Sequence, residues 1–91
     1  MMANRTLVTG QSAACGTDAA GASTFGNATV VRLVNNSSTA RLVTVATAVG
    51  GTTVGSFIMP GNTVEFVEKK STEAIFAGAN TVLGSAVGYT N

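Results

Sequence analysis

The stretch that decides the fold lies at residues 29–59 and reads TVVRLVNNSSTARLVTVATAVGGTTVGSFIM. Three runs rich in Val, Leu and Thr are separated by two clusters of turn residues, NNSS at residues 35–38 and GG at residues 50–51. β-Branched residues suit the pleated strand, whereas Asn, Ser and Gly adopt the backbone conformations that turns require. The pattern therefore predicts short β-strands joined by tight connections, and we expect both clusters to close hairpins.

The same alternation of strand-like runs and turn residues continues on both sides of this stretch. The runs recur about every ten residues, a spacing typical of a β-sandwich or small barrel. Connections this short do not allow a parallel crossover, so we expect successive strands to pair antiparallel. The predicted strands cover residues 5–9, 29–35, 41–47, 53–59, 63–69, 73–77 and 82–90. The sequence thus predicts an all-β fold: one small antiparallel β-sandwich, Ig-like or jelly-roll-like, of about six or seven strands in a single domain over residues 1–91.

Residues 10–28, GQSAACGTDAAGASTFGNA, interrupt this pattern. They show neither the 3.6-residue nor the 2-residue apolar period, so we interpret them as an extended N-terminal arm or a long loop rich in small residues. An Ala-rich helix over residues 13–22 is the alternative, but Gly16 and Gly21 disfavour it. We expect the segment, which includes Phe25, to be mobile in the free protein and ordered by a neighbouring subunit.

Alternation within the run at residues 63–69 predicts which of its side chains face the core. Val64 and Phe66 point one way, whereas Glu65 and Lys69 point the other. We therefore expect Val64 and Phe66 in the core, with Phe66 contributing more to stability than any charged residue.

Two further local features carry structural expectations. The sequence Pro60-Gly61 predicts a type II turn in which Gly61 needs positive φ. In the last run Tyr89 shares a face with Leu83 and Val87, and we expect it to anchor that strand.

The runs at residues 29–35 and 41–47 are apolar on both faces. Such strands are either central in a covered sheet or leave one face for a partner. Since so short a chain has difficulty covering both faces by itself, the second alternative favours a subunit that docks on another protein.

Charge is scarce in this chain of 91 residues, with five Lys and Arg, four Asp and Glu, and a net charge of +1. That balance lacks the positive excess with which proteins bind nucleic acid. Thr, Ser and Asn take the place of the charged residues, and such a surface is buried against a partner at low desolvation cost. The composition indicates a component of a protein assembly and no nucleic acid partner.

The residues that usually carry chemistry are missing or poorly spaced. The sequence contains no His, and Cys15 is its one cysteine, so no internal disulfide forms and we infer folding in a reducing compartment. Glu65 and Glu68 fall on opposite faces of a predicted strand, and the glycine-rich residues 50–55 lack the Lys-Ser/Thr of a phosphate loop. We therefore expect that the protein is not an enzyme and that it has no catalytic residue, no cofactor and no metal site.

Membrane and export signals are also absent from the sequence pattern. The first residues, MMANRTLVTGQSAACG, hold no apolar segment of the length that a secretory signal requires. No apolar run approaches the 18 or more residues that cross a bilayer. We therefore expect neither export nor a membrane partner.

Three segments resemble small virion structural proteins of tailed bacteriophages, particularly marine and cyanobacterial phages. They are VVRLVNNSSTARLVTVAT, GSFIMPGNTVEFVEKKSTEAIFAG and VLGSAVGYTN, which together cover most of residues 29–91, whereas residues 1–28 have no counterpart. The matching positions are framework residues rather than a site. They are Arg32, Pro60, Gly61, Lys69, Ile75 and Tyr89.

The resemblance implies a β-sandwich carried in many copies on the virion, with no active site. Within that group, the sequence is similar to capsid decoration or cement proteins, which bind the outer capsid surface. The implied partners are the major capsid protein or other virion proteins, with a homo-oligomeric or multi-copy arrangement, and the implied location is the virion after assembly in the host cytoplasm. The alternatives are a neck, tail or fibre component, or a carbohydrate-binding module, for which the 5% aromatic content offers few stacking platforms.

Overall fold

The structure, a computed structural model, describes residues 5–90. Over these residues it contains β-strands joined by turns and loops, and no helix. The predicted strands are confirmed to within one residue at each end, and a short additional strand lies in the long loop. The strands are β1 Arg5–Val8, β2 Ala13–Ala14, β3 Val30–Asn35, β4 Arg41–Ala46, β5 Thr53–Met59, β6 Val64–Glu68, β7 Ala74–Ala77 and β8 Val82–Thr90.

The strands form two antiparallel sheets packed face to face, so the predicted β-sandwich is confirmed. The first sheet has the order β1-β8-β3-β6, and the second has the order β5-β4-β7. β2 pairs with the same edge of β8 as β1 does: Val8 lies opposite Val87, and Ala13 lies opposite Gly84. β1 and β2 are therefore two parts of one edge strand, interrupted at residues 9–12.

Most connections join strands of different sheets, which corrects the expectation that successive strands pair. The Gly-rich turn at residues 50–51 does close a hairpin, between β4 and β5. Residues 35–38 and 60–61, by contrast, carry the chain from one sheet to the other. Short links suffice for this because packed sheets lie only about 10 Å apart. The strand order is that of a jelly roll, in which the Ser23–Ile75 bridge stands where a further strand would flank β7.

The two strands that are apolar on both faces, β3 and β4, are the central strands of the two sheets. Their inner residues Val31, Leu33 and Val43 are completely buried. They pack with residues from the long loop, β5, β7 and β8, which makes the core continuous from one sheet to the other. The core cluster comprises Cys15, Phe25, Val31, Leu33, Val43, Met59, Ile75, Ala77 and Val82.

Residues 10–28 form a long loop that is attached to the body of the domain. Cys15 and Phe25 belong to the core cluster. The Cys15 N–H donates to the Val82 carbonyl at 3.2 Å, and the Ala77 N–H donates to the Gly16 carbonyl at 3.0 Å. The expectation that only a neighbouring subunit orders this segment is therefore wrong, because its own domain supplies the apolar contacts and the hydrogen bonds.

The face assignment of β6 was wrong. Phe66 is 46% exposed and Val64 is 44% exposed, whereas Lys69 is only 6% exposed. The cause is the register on β3, in which Phe66 lies opposite Arg32 on the outer face while Val67 lies opposite the buried Val31. Both alternations along β6 contain apolar residues, so the sequence pattern alone does not distinguish its faces.

Gly61 is needed for close packing and not for positive φ, which corrects the turn prediction. The residue in the left-handed region is Asn62, with φ 57°. A Cβ at Gly61 would lie 2.5 Å from the carbonyl carbon and oxygen of Ser38. The two sheet-to-sheet connections thus touch at this point. The buried Asn35 joins them, since its side-chain Nδ2 donates to the Met59 carbonyl at 3.0 Å.

Candidate interaction surfaces

The outer face of the first sheet is largely apolar. Residues directly opposite each other in a ladder point to the same side of a sheet, so the register defines this face. Val34 lies opposite both Val64 and Leu83, and Arg32 lies opposite Phe66. We call this surface the outer apolar face. It comprises Val8, Ala14, Val30, Val34, Val64, Phe66, Leu83 and Val87, interspersed with Arg32, Glu68 and Ser85.

Several side chains of the outer apolar face are accessible to solvent. Val8 is 65% exposed, and Val64 and Phe66 are exposed by nearly half. Val34 and Leu83 are half-buried, and Val87 is buried. Contiguous apolar surface of this kind marks sites of protein contact more often than scattered single residues do. Sequence reasoning had placed Val64 and Phe66 in the core, so it missed them as surface residues.

The second sheet ends in a free edge, the strand β5. Its order places β5 at the end of the sheet, with β4 on one side and no described residue pairing with the other side. The strand is mostly exposed and contains no charged residue, and Ile58 is 61% exposed. A free strand edge offers unpaired N–H and C=O groups to another chain.

Lys69 secures the end of the long loop. Its backbone N–H donates to the Thr29 carbonyl at 2.8 Å, and its Nζ donates to the Ala28 carbonyl at 2.6 Å. Burial lowers the pKa of Lys69 below 10.5, and the nearby Glu73 carboxylate opposes this change. Because the amine is buried and bonded to backbone carbonyls, its role is to hold the loop against the end of β6.

An open cleft of about 490 Å³ lies between the interruption of the edge strand and the loop at residues 23–28. Gln11, Ser23 and Phe25 contribute to its lining. The Ser23 hydroxyl accepts a hydrogen bond from the Phe25 N–H at 3.1 Å. The lining residues Thr9, Gly10, Gln11, Ala13, Ser23, Phe25, Gly26, Ala28 and Ala86 include no ionisable side chain. The cleft therefore supplies no group for acid–base chemistry.

Cys15 is completely buried in the core cluster. Burial raises the pKa of its thiol from 9.0 to about 11, which keeps the sulfur protonated and unreactive at neutral pH. Its Sγ lies 3.8 Å from the Gly16 carbonyl oxygen, a weak contact. The thiol acts as an apolar packing group.

The described part of the chain also falls short of the requirements of a metal site, a carboxylate pair and a membrane-spanning helix. Residues 5–90 hold no group of three or more His, Cys, Asp or Glu side chains placed to bind a metal ion. Glu65 and Glu68 are both exposed and lie on opposite sides of β6. Within the same residues, no helix is long and apolar enough to cross a bilayer.

The framework residues are dispersed through the fold. Arg32 is half-buried on the outer apolar face, Pro60 is exposed in a connection between the sheets, and Ile75 is completely buried. The backbone of Tyr89 pairs with Thr6, whereas its side chain, which we expected to anchor β8, lies outside the described part of the structure. The fold does not bring these residues together into one site.

Comparison with known proteins gives no match: no protein-family model, no curated protein and no solved structure is significantly similar to this chain.

Proposed function

We propose that this protein is a non-enzymatic structural component of a tailed-phage virion, most specifically a capsid decoration or cement protein carried in many copies on the outer capsid surface. The observation that carries the proposal is the outer apolar face. In this proposal the face lies against the major capsid protein.

The energetics favour such an attachment. Complete burial of a Val or Phe side chain contributes about 1.5–3 kcal/mol, so a half-exposed side chain contributes about half of that when a partner covers it. Val8, Val64 and Phe66 are the most exposed large apolar residues of the face. Charged residues on the face are few, so covering it incurs little desolvation of charge.

The fold is compatible with the proposal and does not by itself establish it. Jelly rolls occur in viral capsid proteins and also in lectins, so the architecture supports more than one function. A neck, tail or fibre position on the virion remains the alternative within the same class of protein.

A carbohydrate-binding module is the alternative from another class. The cleft near Ser23 offers hydroxyl and amide groups, but the side chain of Phe25, which contributes to its lining, is buried. Phe57 and Phe76 are half-buried. A specific, strong ligand on a glycan array would favour this alternative over attachment to the virion.

Attachment is tested by cosedimentation of the purified protein with genome-free, expanded capsids of the phage that encodes it. We expect saturable binding at a stoichiometry that matches the capsid symmetry. Val64→Glu should weaken binding, because it places a charge on the outer apolar face. Val49→Glu is the matched control: Val49 is 52% exposed in the β4–β5 turn and lies away from that face. No binding to capsids, with the protein found only on tails, contradicts the decoration role.

A further inference from the structure

The edges of the two sheets are protected unequally. At the β7 edge, Ile75 exchanges both backbone hydrogen bonds with Ser23, and Ala77 bonds to Gly16, so the long loop covers it. The β6 edge carries Glu65 and Glu68, whose charges repel a second copy. The β5 edge has neither a covering segment among the described residues nor a charge. Residues 42–64 form an uncharged segment around it.

The pairing of β4 shows which groups of β5 face outward. The Gly78 N–H donates to the Leu42 carbonyl, so Leu42 directs its backbone groups towards β7. Backbone groups alternate along a strand, and Val43 therefore directs its own towards Phe57 of β5. It follows that Phe57 is bonded to β4, whereas the N–H and C=O groups of Ser56 and Ile58 point to the free edge.

We propose that the β5 edge is a self-association site, at which β5 of a second copy of this chain pairs antiparallel about a two-fold axis through Ser56. In this register the outward groups of Ser56 meet those of the second Ser56, and Ile58 lies opposite Val54 on both sides of the axis. The second sheet of one copy and the second sheet of the other then form one continuous sheet across the dimer.

Three observations select a second copy of this chain as the occupant. The outward N–H and C=O groups of Ser56 are self-complementary under the two-fold axis. The uncharged segment offers no repulsion between like chains. Pro60, which lacks an N–H, falls outside the paired residues in this register. The β-bulge between Val45 and Ala46 leaves Val54 without a partner in β4, so regular pairing covers residues 55–59 of β5, and the axis at Ser56 lies within them.

The site is tested first by backbone amide exchange and sedimentation velocity on the purified protein over a range of concentrations. We expect a dimer at high concentration. The amides of Ser56 and Ile58 should exchange fast in the monomer and slowly in the dimer. The Phe57 amide, which bonds to β4, should be protected in both and serves as the internal control.

A charge-swap experiment tests the register. Ser56→Lys and Ser56→Glu each place two like charges at the axis and should weaken association by about fivefold or more. A mixture of the two variants should associate again, because Lys then faces Glu. Thr72→Lys and Thr72→Glu, at an exposed residue of the β6–β7 connection, are the matched pair and should leave association unchanged. Far-UV circular dichroism establishes that each variant is folded.

The proposal is overturned by a chain that stays monomeric up to about 1 mM, or by a dimer in which the Ser56 and Ile58 amides remain unprotected. It is also overturned if the mixed Ser56 variants associate no better than either alone. The inference is independent of the virion role. A protein that dimerises but does not bind capsids contradicts only the proposed function, and a monomer that binds capsids contradicts only this site.

Discussion

Replacing Gly84 by Ala is expected to destabilise the domain because the ring of Phe25 occupies the space that a side chain would need. A Cβ at Gly84 would lie 2.6 Å from Cζ and 2.7 Å from Cε1 of Phe25, and 3.0 Å from Cδ2 of Leu33. Carbon atoms in contact prefer about 3.5–4.0 Å, so the ring would have to retreat by about 1 Å. The neighbouring Ser23–Ile75 bridge holds the loop that carries this ring.

The magnitude follows from two opposing effects. Overpacking a core typically costs about 1–3 kcal/mol, and a ring buried in the core cluster belongs at the upper end of that range. Ala in a strand recovers about 0.5–1 kcal/mol of backbone entropy relative to Gly. We therefore expect Gly84→Ala to lower the free energy of unfolding by about 1–2 kcal/mol. At the usual stability per residue, the free energy of unfolding of the whole domain is only about 5–14 kcal/mol.

Urea denaturation of the unaltered protein and four variants measures this effect. Gly88→Ala is the control in the same strand, because a Cβ there meets nothing within 4 Å, and we expect it to be neutral or slightly stabilising. Phe25→Ala alone should cost about 3–5 kcal/mol, since the ring is buried. In that background Gly84→Ala should become stabilising, because the methyl group enters the vacated space. Phe25→Leu replaces Phe25→Ala if too little of the latter folds.

The decisive result is the change of Gly84→Ala from destabilising, with the Phe25 ring present, to stabilising in its absence. If Gly84→Ala costs the same with and without the Phe25 ring, or if Gly84→Ala and Gly88→Ala have equal effects, then the contact between loop and strand does not limit packing at this position. In that case the long loop would be less firmly seated on the first sheet than its contacts indicate.

Three further predictions concern buried polar and ionisable groups. Asn35→Ala removes a buried side chain that donates to three backbone carbonyls and should cost about 2–4 kcal/mol in urea denaturation, whereas Asn36→Ala, at an exposed neighbour, should stay within about 0.5 kcal/mol. Because the pKa of Cys15 is raised from 9.0 to about 11, the unfolded thiol ionises first. As the pH rises from 9.0 to about 11, the free energy of unfolding should therefore fall by up to about 2–3 kcal/mol more in the unaltered protein than in Cys15→Ala. Below pH 9.0 a thiol reagent should react only with unfolded protein. The lowered pKa of Lys69 acts in the opposite direction: the folded amine loses its proton first, so its own contribution to the free energy of unfolding should rise with pH up to 10.5. Comparison of Cys15→Ala with the double variant Cys15→Ala/Lys69→Met isolates this rise, because the Cys15 thiol lowers stability over the upper part of the same range.

Local pattern determined the strands. Runs of β-branched residues bounded by Asn, Ser, Gly and Pro place seven strands within one residue of their bounds, because strand propensity and turn chemistry act over a few neighbouring residues. The two-sided apolar character of β3 and β4 left two alternatives, a central strand or a face for a partner, and both strands lie inside their sheets. The hairpin at residues 50–51 was also predictable, since two glycines accept the backbone angles of a tight turn; Gly50 has φ 74°.

Only the tertiary structure decided which strands pair and which faces are covered. A short connection fits both a hairpin and a link between packed sheets, so residues 35–38 and 60–61 carry no local signal of the difference. The exposed side of β6 depends on its register with β3, which long-range pairing sets and which puts Phe66 outside and Lys69 inside. The free β5 edge is likewise a property of strand order, because whether a strand has one neighbour or two depends on segments distant in the chain.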